Sequence, residues 1–139
     1  MPLQIDLLRS SFEFVIEKAP DLTTRFYAIL FARYPAVQPM FGRNTPRAQQ
    51  EMLGQALGAV VEHLEDAPWL EATLKGMGAK HVGYGVTDGM YAMVGECLLA
   101  ALADAAAESW TKELETAWAD AYGAIAGLMQ AGAAMAVAA

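Results

Sequence analysis

The sequence predicts an all-α fold, and three observations lead there. Apolar residues recur at helical spacing almost throughout the chain. No long alternating run of β-branched residues appears that would read as a strand. Glycine and proline gather mainly at the breaks between apolar stripes. Apolar residues fill 55% of the 139 positions and charged residues 18%, a balance that builds a packed core rather than a disordered chain.

Each helix has its own signature. The first runs from about Gln4 to Lys18, with Leu7, Leu8, Phe12, Val15 and Ile16 on one side, and Pro20 ends it. Asp21 can cap the second, which reaches about Tyr34 and carries Leu22, Phe26, Ile29, Leu30 and Phe31. Pro35 and Pro39 then imply an irregular corner holding Met40 and Phe41. Thr45-Pro46 opens the third helix, a hydroxyl cap before a proline whose missing N–H costs nothing there. That helix should reach about Glu65, with Leu53, Leu57, Val60, Val61 and Leu64 as its stripe. A segment from Trp69 to Lys80 follows Pro68, and His81-Val82-Gly83-Tyr84-Gly85-Val86 reads as a glycine-containing loop. Thr87 can cap a long helix to about Ala106, with Tyr91, Val94, Leu98 and Leu102 inward. The last helix spans about Thr111 to Gln130, striped by Leu114, Trp118, Ala121, Tyr122, Ile125 and Leu128. Gly54 and Gly58 share a face of the third helix, and their cost of about 1 kcal/mol each is expected to be offset by close approach of another helix.

The length suits one domain. The net charge of −7 argues against nucleic acid and anionic membranes as partners, since both reward clustered Lys and Arg. No signal peptide is visible at the N-terminus. Residues 121–139 carry no charge, but they are mostly Ala and Gly, include Gln130 and lack a basic anchor. A buried helix ending in a frayed tail at 132–139 fits better than a membrane span. Cys97 is the sole cysteine, so a reducing, cytoplasmic setting fits.

Few residues offer chemistry. His63 sits near a helix end beside charges, where a solvated histidine favoured by the helix dipole is the plain reading. His81 closes an apolar segment containing Leu70, Leu74 and Met77 and could face inward as a metal ligand, although spacing alone favours an inert histidine. The spacings of di-metal carboxylate bundles and zincins are absent, as are the serine-hydrolase elbow, the dinucleotide glycine loop and the Walker loop. Cys97 lies in a Leu/Ala-rich helix and reads as an inert core thiol.

Three blocks carry a family likeness. Residues 26–35 (Phe-Tyr-Ala-Ile-Leu-Phe-Ala-Arg-Tyr-Pro), followed by Met40-Phe41, resemble the start of bacterial single-domain haemoglobins and of the globin half of flavohaemoglobins. Residues 80–86 (Lys-His-Val-Gly-Tyr-Gly-Val), with Tyr91 to Leu99 after them, are similar to the proximal half of that family, and Ala117 to Gly123 resemble its last helix. The likeness spans roughly residues 5–130 with the blocks in family order. It implies a globin fold, a three-over-three helical sandwich around haem b (iron protoporphyrin IX), with a globin domain over 1–131.

The resemblance also implies roles. His81 becomes the proximal ligand to haem iron, its other ring nitrogen donating to a group that fixes the ring. Phe41 packs flat on the haem, and Leu53, Leu57, Met77, Tyr84, Val86, Tyr91, Val94 and Leu98 line it. Lys80, Arg43 and Arg47 lie near the inferred mouth as propionate partners or as plain surface charges. Tyr27 becomes a distal donor to a partly negative oxygen of bound O2. Gln49 joins it, sharing a helix face with Leu53 and Leu57, while Gln50 is the competing choice one residue away.

One departure shapes the function expected. The family's proximal histidine bonds a Glu from the last helix, but that position falls at about Met135, and no carboxylate lies between Ala121 and Ala139. A backbone carbonyl such as that of Met77 is then the expected partner of His81, which favours reversible O2 binding over peroxidase-like activation. The implied ligands are O2 and other diatomic gases (NO, CO). The alternatives are a nitric oxide dioxygenase fed by a separate reductase, since the length leaves no room for one here, or a haem-based gas sensor. Monomer and homodimer both remain open.

Overall fold

A computed structural model describes residues 4–41 and 45–138, and within them every regular element is helical. The α-helices are α1 (Ile5–Lys18), α2 (Leu22–Arg33), α3 (Pro46–Glu62), α4 (Ala67–Gly83), α5 (Asp88–Ala106) and α6 (Lys112–Ala138). Short 3₁₀ segments occupy Pro35–Phe41 and Ala107–Ser109.

Helix pairing gives two layers. α1 touches α3 in one layer, while α5 packs between α2 and α6 in the other. The layers meet where α4 crosses α6, where α2 crosses α3, and where α1 lies on α5 and α6. The core runs between them through Leu8, Val15, Leu22, Leu30, Leu74, Leu102 and Trp118. The segment Asp88–Ser109 is long and apolar enough to cross a membrane by length and composition. It contains α5, the central core helix, whose Cys97 and Ala101 are completely buried.

Local chemistry sets the helix starts. Thr45 accepts from the Ala48 N–H at 3.1 Å, and Thr111 accepts from the Leu114 N–H at 3.1 Å. Asp66 accepts from the Trp69 N–H at 3.2 Å, which starts α4 one residue before Pro68. Asp21 does not cap α2 with its side chain; its carboxylate instead pairs with Arg25 one turn on, at 3.1 Å. The corner after α2 is not irregular, because its prolines fit the tight 3₁₀ turn at Pro35–Phe41.

The ends depart further from local signals. α3 stops at Glu62, three residues short of the expected end, with His63 as its C-cap. α4 continues past Lys80 to Gly83, so His81 stands on a helix rather than in a loop. Its close is a left-handed glycine: Gly85 has φ +86°, its N–H bonds the Val82 carbonyl at 3.0 Å, and the Val86 N–H reaches back to the His81 carbonyl at 3.1 Å. α6 runs to Ala138, past the end expected near Gln130.

The glycine expectation is also corrected. A Cβ on Gly54 would make ordinary contact with Thr23, and one on Gly58 would meet nothing within 4 Å. The close approaches lie elsewhere. A Cβ on Gly78 would sit 1.8 Å from the Met129 carbonyl oxygen, and one on Gly132 would sit 2.0 Å from that of Lys75. At Gly95 it would meet the Tyr122 ring at 2.6 Å.

Candidate functional site

α2 and α3 together build a polar pair inside an aromatic wall. Tyr27 on α2 is 7% exposed, with ring centroids of Phe26, Phe31 and Phe41 at 4.9, 5.7 and 5.5 Å. The Gln49 side-chain N–H donates to the Tyr27 hydroxyl oxygen at 3.1 Å. Gln50 turns away and accepts from the Thr24 hydroxyl at 3.0 Å. Of the two glutamines, Gln49 is the one bonded to the phenol. Burial pushes the Tyr27 hydroxyl above its ordinary range, and the bond from Gln49 pulls part of the way back. Leu53 and Leu57, one and two turns beyond Gln49, are half-buried and packed against the core.

α4 supplies the imidazole. His81 Nδ1 lies 2.6 Å from the Met77 carbonyl one turn back. The Met77 carbonyl expected from the sequence is thus in place. With Nδ1–H donated there, Nε2 carries the lone pair, the form a metal needs. The Tyr84 ring meets the imidazole edge-on with centroids 5.4 Å apart and is itself 42% exposed. Met135, the position expected to replace a carboxylate partner, is 63% exposed. Gly78 meets Met129 and Lys75 meets Gly132 across the helix crossing, so residue 135 lies beyond it, more than two turns from His81.

The remaining positions sort by burial. Val86 and Val94 are half-buried, and Tyr91 and Leu98 are buried. The Tyr91 carbonyl accepts from the hydroxyl of Tyr122, which the sequence reading placed on the stripe of the last helix without assigning it a partner. The signal was Gly95, whose missing side chain admits the Tyr122 ring. Lys80 is exposed, and Arg47 pairs with Glu51 at 3.2 Å. Arg43 lies outside the described residues. His63 stacks on Trp69 with centroids 3.9 Å apart, and its Nδ1 is 2.8 Å from the Ala59 carbonyl. That is a helix-end packing role remote in kind from His81.

The donor set bears on which group fits. Among the described residues no three His, Cys, Asp or Glu side chains gather to hold a metal ion. A metal at His81 therefore needs a prebuilt ligand frame, such as a tetrapyrrole, with the imidazole as its axial donor. The half-buried Phe41, Leu53, Leu57, Met77, Val86 and Val94 are apolar partners suited to a flat, largely hydrophobic ring. The residues present fit haem.

Comparison with known proteins agrees. A globin family profile matches residues 24–129. A flavohemoprotein of Bacillus thuringiensis subsp. konkukian is 32% identical over 124 residues. That alignment takes in 88% of this chain and 30% of the relative, so the chain spans under a third of that protein's length. A bacterial globin from Campylobacter jejuni superposes with a TM-score of 0.84 at 27% identity, covering 98% of each chain. An engineered carbene transferase from Rhodothermus marinus, a presumed nitric oxide dioxygenase, superposes with a TM-score of 0.85 at 28% identity, over 96% of this chain and 93% of its own.

Proposed function

The chain belongs to the globin family, and on that premise we propose that it binds haem b through His81 and takes up O2 reversibly, for storage, delivery or scavenging. One observation carries the reading. Gln49 uses its N–H on the Tyr27 oxygen, so the phenol proton is left to donate, and among the described residues nothing else accepts it. Haem, when bound, supplies a ferrous iron that takes diatomic ligands reversibly.

The chain's own residues do the rest. Tyr27 offers its proton to the negative end of the ligand, and the charge makes that bond stronger than a neutral one. Gln49 holds the phenol in one rotamer. Phe31, Phe41 and Leu53 keep the surroundings apolar, which strengthens the bond by excluding competing water. His81 presents Nε2 while the Met77 carbonyl fixes its ring. A neutral carbonyl pushes less electron density into the imidazole than a carboxylate would, which supports binding over O–O cleavage. Attachment of the b type agrees with Cys97, the sole cysteine, being fully buried on α5.

Nitric oxide dioxygenation is the second reading, favoured by the likeness to the Rhodothermus protein. The same Tyr27–Gln49 pair serves it, with electrons supplied by a reductase outside these 139 residues. Anaerobically reduced protein mixed with O2 in a stopped flow tests the first reading: a stable oxygenated spectrum that reverts under argon supports it, and immediate oxidation to the ferric form overturns it. NO consumption with a supplied flavin reductase and NADH then tests the second.

A further inference from the structure

α4 and α6 touch backbone to backbone at two places, and the carbonyl that holds His81 lies between them. Gly78 abuts the Met129 carbonyl group, and Gly132 abuts that of Lys75. Lys75 and Gly78 flank Met77, whose carbonyl takes the His81 Nδ1–H at 2.6 Å. We propose that Gly78 and Gly132 are positioning residues for the imidazole: by letting the two backbones meet on either side of Met77, they fix the carbonyl that sets the ring's rotation and the direction of Nε2. The inference deepens the haem-binding reading and rests on it for its meaning at the metal.

Several features support it. Side chains bridge most helix crossings and can readjust, whereas a backbone contact cannot shift without moving the helix. Close Cα–H···O=C approaches of this type also add weak attraction. The specificity lies in position: Gly76 and Gly83 stand on the same helix and a Cβ on either meets nothing within 4 Å. Of the three glycines on α4, Gly78 is the one pinned against a backbone. The far end of α4 is fixed too, because the Gly85 turn bonds the His81 carbonyl itself. The two residues between Gly78 and His81 are continuous helix, so a displacement at the crossing is transmitted to the ring.

The test uses the full haem-loaded chain carrying Gly132→Ala or Gly78→Ala, with Gly76→Ala as control. Resonance Raman of the ferrous, unliganded protein reads the iron–histidine stretch. The expected result is a shifted, broadened band in both crossing variants and the parent band in the control. The shift should vanish when the variants are combined with His81→Gly and loaded with free imidazole, whose ring is not tethered to α4. An unchanged band in Gly132→Ala, or a shift that persists with free imidazole, overturns the proposal. If Gly78→Ala fails to fold, Gly132→Ala decides alone. If the parent chain takes no haem, the proposed function fails separately. The ¹⁵N shift of His81 Nδ1–H in the haem-free chain then decides: a resonance unmoved by Gly132→Ala overturns the positioning role, and a moved one supports it.

Discussion

The Nδ1 of His81 lies 2.6 Å from the carbonyl of Met77, one turn earlier on the same helix. The bond selects the tautomer with a free Nε2 and gives the ring a neutral partner. Replacing the ring should therefore abolish haem retention without unfolding a helix whose other anchors are intact. We expect His81→Gly to purify without a Soret band and to regain one when haem and imidazole are added together. Titration followed by absorbance checks this; stoichiometric haem in His81→Gly without imidazole would show that another residue is the ligand.

The Tyr27–Gln49 pair makes a second prediction. A hydrogen bond to a charged partner contributes about 1.5–3 kcal/mol, and about 1.4 kcal/mol is a factor of ten. Tyr27→Phe should speed O2 release from the loaded protein by about 10- to 100-fold. Gln49→Leu should speed it less, because it frees the phenol to rotate but leaves the donor. Gln50→Leu, which loses the Thr24 contact, should leave the rate unchanged. Stopped-flow displacement of O2 by CO measures all three.

Helix starts were legible because their causes are local: Thr45-Pro46 and Thr111 act within one turn of themselves. Helix ends were less so, because packing decides them. The Ala-rich end of α6 holds no stop signal, and it stays helical through Gly132, which lies against Lys75. Gly54 and Gly58 have the spacing of a close crossing, but spacing does not say whether a helix lies opposite. The glycines that do meet a helix, Gly78 and Gly132, had no such pattern. At the site, Tyr27 and His81 came from family likeness rather than periodicity. The Met77 carbonyl followed from the missing carboxylate, whereas the bond from Tyr122, a stripe residue in the sequence, to the Tyr91 carbonyl emerged only once Gly95 was seen beneath its ring.

Ala107 closes α5 with φ +50° and ψ −121°, a conformation that a Cβ disfavours. Its side chain is exposed, so nothing is lost by removing it. Ala107→Gly should raise stability by about 1 kcal/mol, read as a higher urea midpoint at unchanged slope. A lower midpoint would show that the entropy gained by the unfolded chain outweighs the relief.

Alkaline pH should destabilise the fold. Burial raises the hydroxyls of Tyr27, Tyr91 and Tyr122 above their ordinary value of 10.0, Tyr122 most of all, and raises the Cys97 thiol above 9.0. The folded state thus holds these protons more tightly than the unfolded one. Their contribution is fully present below the ordinary values and is lost as pH rises above them, while only the unfolded chain ionises. The denaturation midpoint should fall above pH 9, steepening past pH 10. Tyr122→Phe, although less stable at neutral pH through loss of the bond to the Tyr91 carbonyl, should show a shallower alkaline decline. An equal decline in both proteins would contradict the assignment.

The most direct measurement is the absorption spectrum of the purified chain, mixed with one equivalent of haem, in its ferric, dithionite-reduced and O2-exposed forms. A Soret band that shifts on reduction, and shifts again reversibly with O2, is the expected result. A spectrum that stays that of free haem in all three states would contradict haem binding at His81.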